Sequence, residues 1–206
     1  CPDHPELAIT PLSPKRISEE IKSIKASSVR ILAPVIRYKK GAHKSVFARA
    51  AASEITEVRV DGSLGKVSQF SEGLEKGKQH NIEFCVARFN PVTLNRELVE
   101  EAVRQALSIS GADLLVVAEK DERTFSLERT CPVCKRGFFK PDPEDLSFHS
   151  KRGACKHCGG KGLDARGRTC AYCQGARIEA EGRNLRLAAD GFGKLNIYEL
   201  SLLPPA

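Results

Sequence analysis

A chain of 206 residues is long enough for one or two domains. Its 41% hydrophobic and 29% charged residues match a folded protein and exclude a low-complexity or fibrous one. The formal net charge of +7 is uneven: residues 131–177 carry ten Lys/Arg against four Asp/Glu. That basic stretch suits contact with nucleic-acid phosphates, or it offsets the charge of the thiolates around it. No signal peptide and no apolar run long enough to cross a membrane is visible, so a cytoplasmic chain with reduced thiols is expected. Methionine and tryptophan are absent and the chain opens at Cys1, which suggests a piece of something longer.

Ser13-Pro14 reads as a helix cap followed by proline in the first turn, with Ile17, Ile21 and Ile24 at helical spacing after it. Residues 29–35 (VRILAPV) read as a buried strand, and residues 43–54 as a helix. A strand at residues 57–60 should end at the turn signal Asp61-Gly62. Residues 62–80 are rich in glycine and lysine and predict a loop with a short strand. Residues 82–89 predict a strand with Ile82, Phe84 and Val86 on one face. Residues 94–108 form the best helix. Leu98, Val99, Ala102, Val103, Ala106 and Leu107 make its apolar stripe, and Gly111 fits its C-terminal cap. Residues 114–118 predict another buried strand, and residues 124–129 a partner for it. The expected fold class is α+β: a mixed α/β domain inserted ahead of small zinc-binding modules.

Seven of the eight cysteines belong to, or begin, a pair with a two-residue gap: Cys1-x-x-His4, Cys131-x-x-Cys134, Cys155-x-x-Cys158 and Cys170-x-x-Cys173. Only Cys85 stands alone. Two residues between ligands let one tight turn aim both at a single ion, and two such turns complete zinc's tetrahedron. Eight donors therefore suffice for two zinc ions. Cys131, Cys134, Cys155 and Cys158 form C-x2-C-x20-C-x2-C, a zinc spacing. Disulfides and a redox site are the weaker readings, because the pairs lie in Gly- and Lys-rich turns.

No catalytic constellation is legible. The stretch Gly73 to Gln79 has three residues between its glycines and a glutamine where a phosphate loop needs Ser or Thr, so it reads as a solvated loop. Gly191-Phe192-Gly193-Lys194 reads as a hairpin turn between residues 184–189 and 195–200. The histidines His43, His80, His149 and His157 are scattered.

Several strings resemble UvrA, the A subunit of the excinuclease ABC complex of nucleotide excision repair. They are LAPVIRYKKGAH from Leu32, VRVDG from Val58, HNIE from His80 and VARF from Val86. The opening CPDH, the zinc spacing CPVC…CKHCGGKG, the late TCAYCQGARI and NIYELSLLP also resemble that family, in the same order. The resemblance implies a UvrB-binding domain over residues 12–128, a base segment at 1–11, a four-cysteine module at 129–165 and the start of a signature-type domain at 166–206. It implies one zinc held by Cys1, His4, Cys170 and Cys173, and another by Cys131, Cys134, Cys155 and Cys158. It also implies UvrB contact through Arg59 and Arg88.

ATP hydrolysis, UvrA homodimers and strong DNA contact would belong to the parent protein, so no enzyme activity is expected of this segment. In two respects the chain departs from the family. Only eleven residues separate Cys158 from Cys170, where a DNA-binding insertion is usual, so the insertion is naturally short or was excised. Glu57 stands where a basic residue is expected. Two other readings are a zinc module that resembles that of DnaJ chaperones, carried by CKHCGGKG and CAYCQGAR, in which Cys155, Cys158, Cys170 and Cys173 would share one ion as C-x2-C-x11-C-x2-C, and an autonomous zinc-dependent DNA binder.

Overall fold

The computed structural model describes residues 1–90, 95–119, 121–186 and 194–204. The chain divides into two units, Ile9–Phe139, and Cys1–Ala8 together with Lys140–Ala206.

The first unit is a six-stranded sheet with helices on one face. Helix α1 (Pro14–Lys22) starts where the sequence predicts. The Ser13 side chain accepts from the Arg16 N–H, and Pro14 sits in the first turn, where a missing N–H is harmless. Its Ile17 and Ile21 are fully buried. Strand β1 (Val29–Lys40) runs five residues beyond the expected end. Pro34 does not stop it, because β5 pairing ends at Leu32 and a bulge lies beside the proline, a position where proline is tolerated. Helix α2 (Lys44–Ala52), strand β2 (Glu57–Val60) and strand β3 (Ser63–Lys66) follow. A short 3-10 turn, Val67–Phe70, leads through turns to β4 (Gln79–Phe89).

Helix α3 spans Arg96–Ser110, capped by Asn95, whose side chain accepts from the Glu97 N–H. It ends at Gly111, whose φ of 92° is the left-handed region that glycine enters without strain. Val99, Ala102, Val103, Ala106 and Leu107 are buried as expected, but Leu98 is 56% exposed. One residue step around a helix carries Leu98 off the stripe that Val99 leads. The start expected at Leu94 lies outside the described residues. Strands β5 (Asp113–Ala118) and β6 (Asp121–Ser126) close the unit.

The sheet order is β3-β2-β4-β1-β5-β6, and every pairing is antiparallel. One face holds the core: Val29, Ile31, Val58, Ile82, Phe84, Leu114, Val116 and Phe125 with the helices. α3 lies against β1, β4, β5 and α1. A bulge shifts the β1–β4 register between Ile31 and Leu32, so Leu32 faces Cys85 but Ile31 faces Ala87. The bulge leaves Val86 over as the extra residue, and Arg88 lands on the face away from the helices.

The second unit has little regular structure among its described residues. It contains a 3-10 turn at Pro143–Leu146 and two short helices, α4 (Ala180–Arg183) and α5 (Ile197–Ser201). The strand expected at residues 195–200 is therefore a helix; Asn196 caps it, accepting from the Glu199 N–H. Most of the expected hairpin turn, Gly191 to Gly193, lies outside the described residues. Arg177 knits the unit together. Its guanidinium lies over the Phe148 ring, and its Nε donates to the Gly160 carbonyl at 2.7 Å. Among the described residues, no helix is long and apolar enough to cross a membrane.

His80, at the start of β4, is buried and faces two acceptors. Its Nδ1 lies 2.7 Å from the Asp61 carboxylate and its Nε2 lies 2.9 Å from the Glu75 carbonyl. A neutral ring can donate to only one of them. Burial works against the charged ring, but the bonds to Asp61 and Glu75 outweigh it, and the pKa is raised. In its charged form the ring donates to both and pins the loop before β4 to the Asp61 turn. Because the folded pKa is the higher one, this stabilisation is full below the unfolded value of about 6.5 and disappears as pH rises through the raised value. Thermal melts across that window should show stability falling as pH rises, and Asp61→Asn should flatten the slope.

Candidate metal centre and second sheet face

Cys155-x-x-Cys158 and Cys170-x-x-Cys173 fold as two matching turns. In the first, the Gly160 N–H bonds the Cys155 carbonyl and the Lys161 N–H bonds the Cys158 carbonyl. In the second, Gln174 and Ala176 do the same for Cys170 and Cys173. After the second cysteine of each turn, the backbone enters the left-handed region, at Gly159 (φ 60°) and Gln174 (φ 53°). Gly160 has a second constraint: a Cβ there would collide with the Phe148 carbonyl oxygen. The turns are cross-linked, since the Cys155 N–H bonds the Arg177 carbonyl and the Cys170 N–H bonds that of Gly162.

All four side chains are buried, and their sulfurs lie within 4.8 Å of one another. Cys158 Sγ and Cys173 Sγ are 3.8 Å apart. A disulfide needs about 2.05 Å. A tetrahedron with zinc–sulfur bonds of about 2.3 Å has edges of about 3.8 Å. The four cysteines are free thiols whose spacing and softness fit a tetrahedral metal ion.

The Gly162 N–H reaches Cys158 Sγ at 3.2 Å. Burial raises the Cys158 pKa, but that N–H and the neighbouring thiols outweigh it and bring it to about 7. Burial pushes Cys173 up to about 11, and its neighbouring thiols add to the rise. Metal uptake here must therefore expel protons.

This grouping corrects the pairing expected from the resemblance. Cys155 and Cys158 close on Cys170 and Cys173, not on Cys131 and Cys134. Equally, Cys170 and Cys173 do not complete a site with Cys1 and His4. The physical reason is the connection between the turns. Leu163 bridges Thr169, and the Asp164 N–H bonds the Arg168 carbonyl, so the residues between Cys158 and Cys170 fold back as a tight hairpin. Closing that short loop loses less chain entropy than closing the longer one from Cys134 to Cys155. The arrangement is the C-x2-C-x11-C-x2-C grouping that accompanied the chaperone-like reading.

The other four donors lie as pairs, one in each unit. Cys1 Sγ is 3.7 Å from His4 Nδ1. Cys131 and Cys134 flank a turn in which the Lys135 N–H bonds the Cys131 carbonyl and the Cys131 N–H bonds that of Arg136.

On the sheet face away from the helices, Arg59 donates through Nε to Glu83 at 3.1 Å and also pairs with Glu122. Its side chain is 11% exposed and that of Glu83 only 8%. Burial raises the Glu83 pKa, and Arg59 opposes the rise. Arg88 is exposed and stands directly across from Arg30 on β1. Sequence reasoning missed Arg30. Its signal was its place one residue before Ile31, on the opposite face of a strand with period two. Arg30 Nε is buried without a hydrogen-bond partner among the described residues. Cys85 is half-buried between them and Glu57. Burial and then the Glu57 carboxylate push its pKa up to about 11. The stretch from Gly73 to Lys78 lies in the turns before β4.

This architecture defines an α+β domain built on an antiparallel sheet, followed in the chain by a four-cysteine cluster that could hold a metal ion. Residues 13–121 match the family described as the UvrA interaction domain, and the chain belongs to that family. It is similar to proteins named UvrABC system protein A. The identity is 33% over 172 residues in Pseudomonas aeruginosa, covering 79% of this chain and 18% of that one. It is 36% over 160 residues in Streptococcus pyogenes serotype M1, covering 76% and 17%. Streptococcus mutans serotype c gives 35% over 160 residues, with the same coverage of 76% and 17%. The chain thus spans less than a fifth of the length of these relatives.

Metal analysis of variants tests the grouping. Cys155→Ser and Cys170→Ser should each remove the same single ion, and Cys131→Ser should leave that ion in place. If Cys131→Ser and Cys155→Ser instead abolish one shared ion, the grouping is wrong. Arg59→Ala should cost about 3 kcal/mol in chemical denaturation, because it strips a buried carboxylate of its counter-charge.

Proposed function

We propose that this chain is a zinc-braced docking module for UvrB within a UvrA-type DNA-repair ATPase. The observation that carries the reading is the Arg30–Arg88 pair on the face of β1 and β4 away from the helices. Two like charges face each other across the strands, Arg88 exposed and Arg30 with a buried donor unsatisfied. Such a pair is unfavourable alone and favourable against carboxylates, which guanidinium forks bind in bidentate fashion. Arg59 shares this face, because its cross-strand partner is Glu83 and the helices occupy the other side. It contributes by exchanging Glu122, which is 48% exposed, for a partner carboxylate. The family's description as an interaction domain supports the same role.

Zinc is the metal that best suits four thiolates at tetrahedral spacing. The proposal keeps two zinc ions per chain, as the resemblance implies. Each zinc would fix the backbone around its ligands and carry no reaction. Eight unbridged thiols suit the reducing cytoplasm. ATP turnover, UvrA dimerisation and the main contact with DNA belong to the longer protein.

Calorimetric titration with purified UvrB tests the reading, with zinc measured on the same sample. Two ions per chain are expected. Arg88→Glu and Arg30→Glu should each weaken UvrB binding at least about tenfold while leaving the melting curve intact. Wild-type affinity in both variants would falsify the proposed face.

A further inference from the structure

The metal-binding module carries an exposed aromatic pair that the docking reading does not use. His157 occupies the third position of Cys155-x-x-Cys158, and Tyr172 the third position of Cys170-x-x-Cys173. Their rings stack face to face within 5° of parallel. Both residues are exposed, and Tyr172 is 64% exposed although it sits between two cysteines that are at most 4% exposed. The buried thiols fix the backbone on either side of each ring, so the pair is held rigidly outward. A pre-ordered ring loses little conformational entropy on binding.

The surroundings are basic. Lys156 precedes His157 and is exposed, and the Arg183 guanidinium donates to the Tyr172 carbonyl at 3.2 Å. In the chain, the hairpin that joins the two turns carries exposed Lys161, Arg166 and Arg168, the last paired with Asp164. Residues 151–186 contain nine Lys/Arg and three Asp/Glu. The acids are engaged locally or stand apart. Asp164 pairs with Arg168, Glu179 accepts from the Lys156 N–H, and Glu181 lies in α4.

We propose that the stacked His157–Tyr172 pair, with Lys156, Lys161 and Arg183 around it, is a platform for an unpaired nucleobase of a single-stranded nucleic acid. The free face of the Tyr172 ring takes the base, and the cations take the flanking phosphates. Aromatic faces accept any base, and a rim of cations follows the backbone, so binding is sequence-tolerant and salt-dependent. Duplex bases stay stacked on each other and cannot use the ring. The site shares no residue with the Arg30–Arg88 face, so either proposal can fail while the other stands.

The test uses the zinc-loaded chain and a fluorescein-labelled oligothymidylate of about 15 nucleotides, the length one such groove covers. Fluorescence anisotropy should show the single strand bound more tightly than a duplex of equal length. Tyr172→Ala should weaken single-strand binding roughly tenfold with zinc content unchanged, and Tyr172→Phe should restore it. The slope of log affinity against log salt should stay the same in Tyr172→Ala. That slope should become shallower in the Lys156→Gln, Lys161→Gln double variant, which loses phosphate contacts but keeps the ring. An oligouridylate arm separates DNA from RNA as the source of the same chemistry. The proposal is overturned if Tyr172→Ala and His157→Ala both bind within about twofold of wild type. Equal affinity for duplex and single strand also overturns it, since charge alone would then account for binding.

Discussion

Everything after Lys140 depends on four sulfurs coming together. The buried cluster of that unit is Cys155, Cys158, Cys170 and Cys173. Its described helices are four and five residues long, too short to hold themselves in water. Thiols are poor substitutes for leucines as a core, and as thiolates they would repel one another. A tetrahedral cation held there would turn that repulsion into attraction. The rest then follows as scaffolding: Arg177 fastened to Gly160 and Phe148, and the hairpin that sets the distance between the turns.

The sheet unit rests on ordinary burial and keeps its polar chemistry for the other face. Strand periodicity sends Ile82, Phe84, Ile31 and Val58 under the helices, and sends Arg59, Glu83 and Arg30 outward. One extra residue at the β1–β4 bulge decides where Arg88 points. With the bulge, two arginines face each other. Without it, the alternation set by Glu83 and Cys85 would turn Arg88 inward, where an unpaired guanidinium is prohibitive. Arg59 differs from Arg88 in kind. It is half a structural residue, balancing Glu83 in a place where neither charge could stay alone.

Much of this was legible because local physics dominates it. The cap at Ser13-Pro14, the stripe from Val99 to Leu107, the turn at Asp61-Gly62 and the strand order of events along the first unit follow from short-range propensity and period. Leu98 lies one helical step off the stripe it is expected on, and β1 continues five residues past its expected end at Val35 because pairing with β4 carries the polar residues up to Lys40. The helix at Ile197–Ser201 was read as a strand, since five apolar-rich residues carry no reliable period. The cap at Asn196 was the signal that could have settled it.

By itself, the sequence determined that eight donors come in four two-residue turns, because each turn is a local object whose geometry needs nothing beyond its own residues. It could not say which turn meets which. Spacing permitted more than one arrangement, and the resemblance favoured one that the fold does not build. Only the tertiary structure decided the partnership. The hairpin between Cys158 and Cys170 makes the shortest loop to close, and the backbone bonds from Cys155 to Arg177 and from Cys170 to Gly162 lock the two turns together. The same limit applies to the docking face. Arginines at positions 30, 59 and 88 are visible in the sequence, but which of them is spent on an internal carboxylate and which is left facing its like depends on strand register across the sheet.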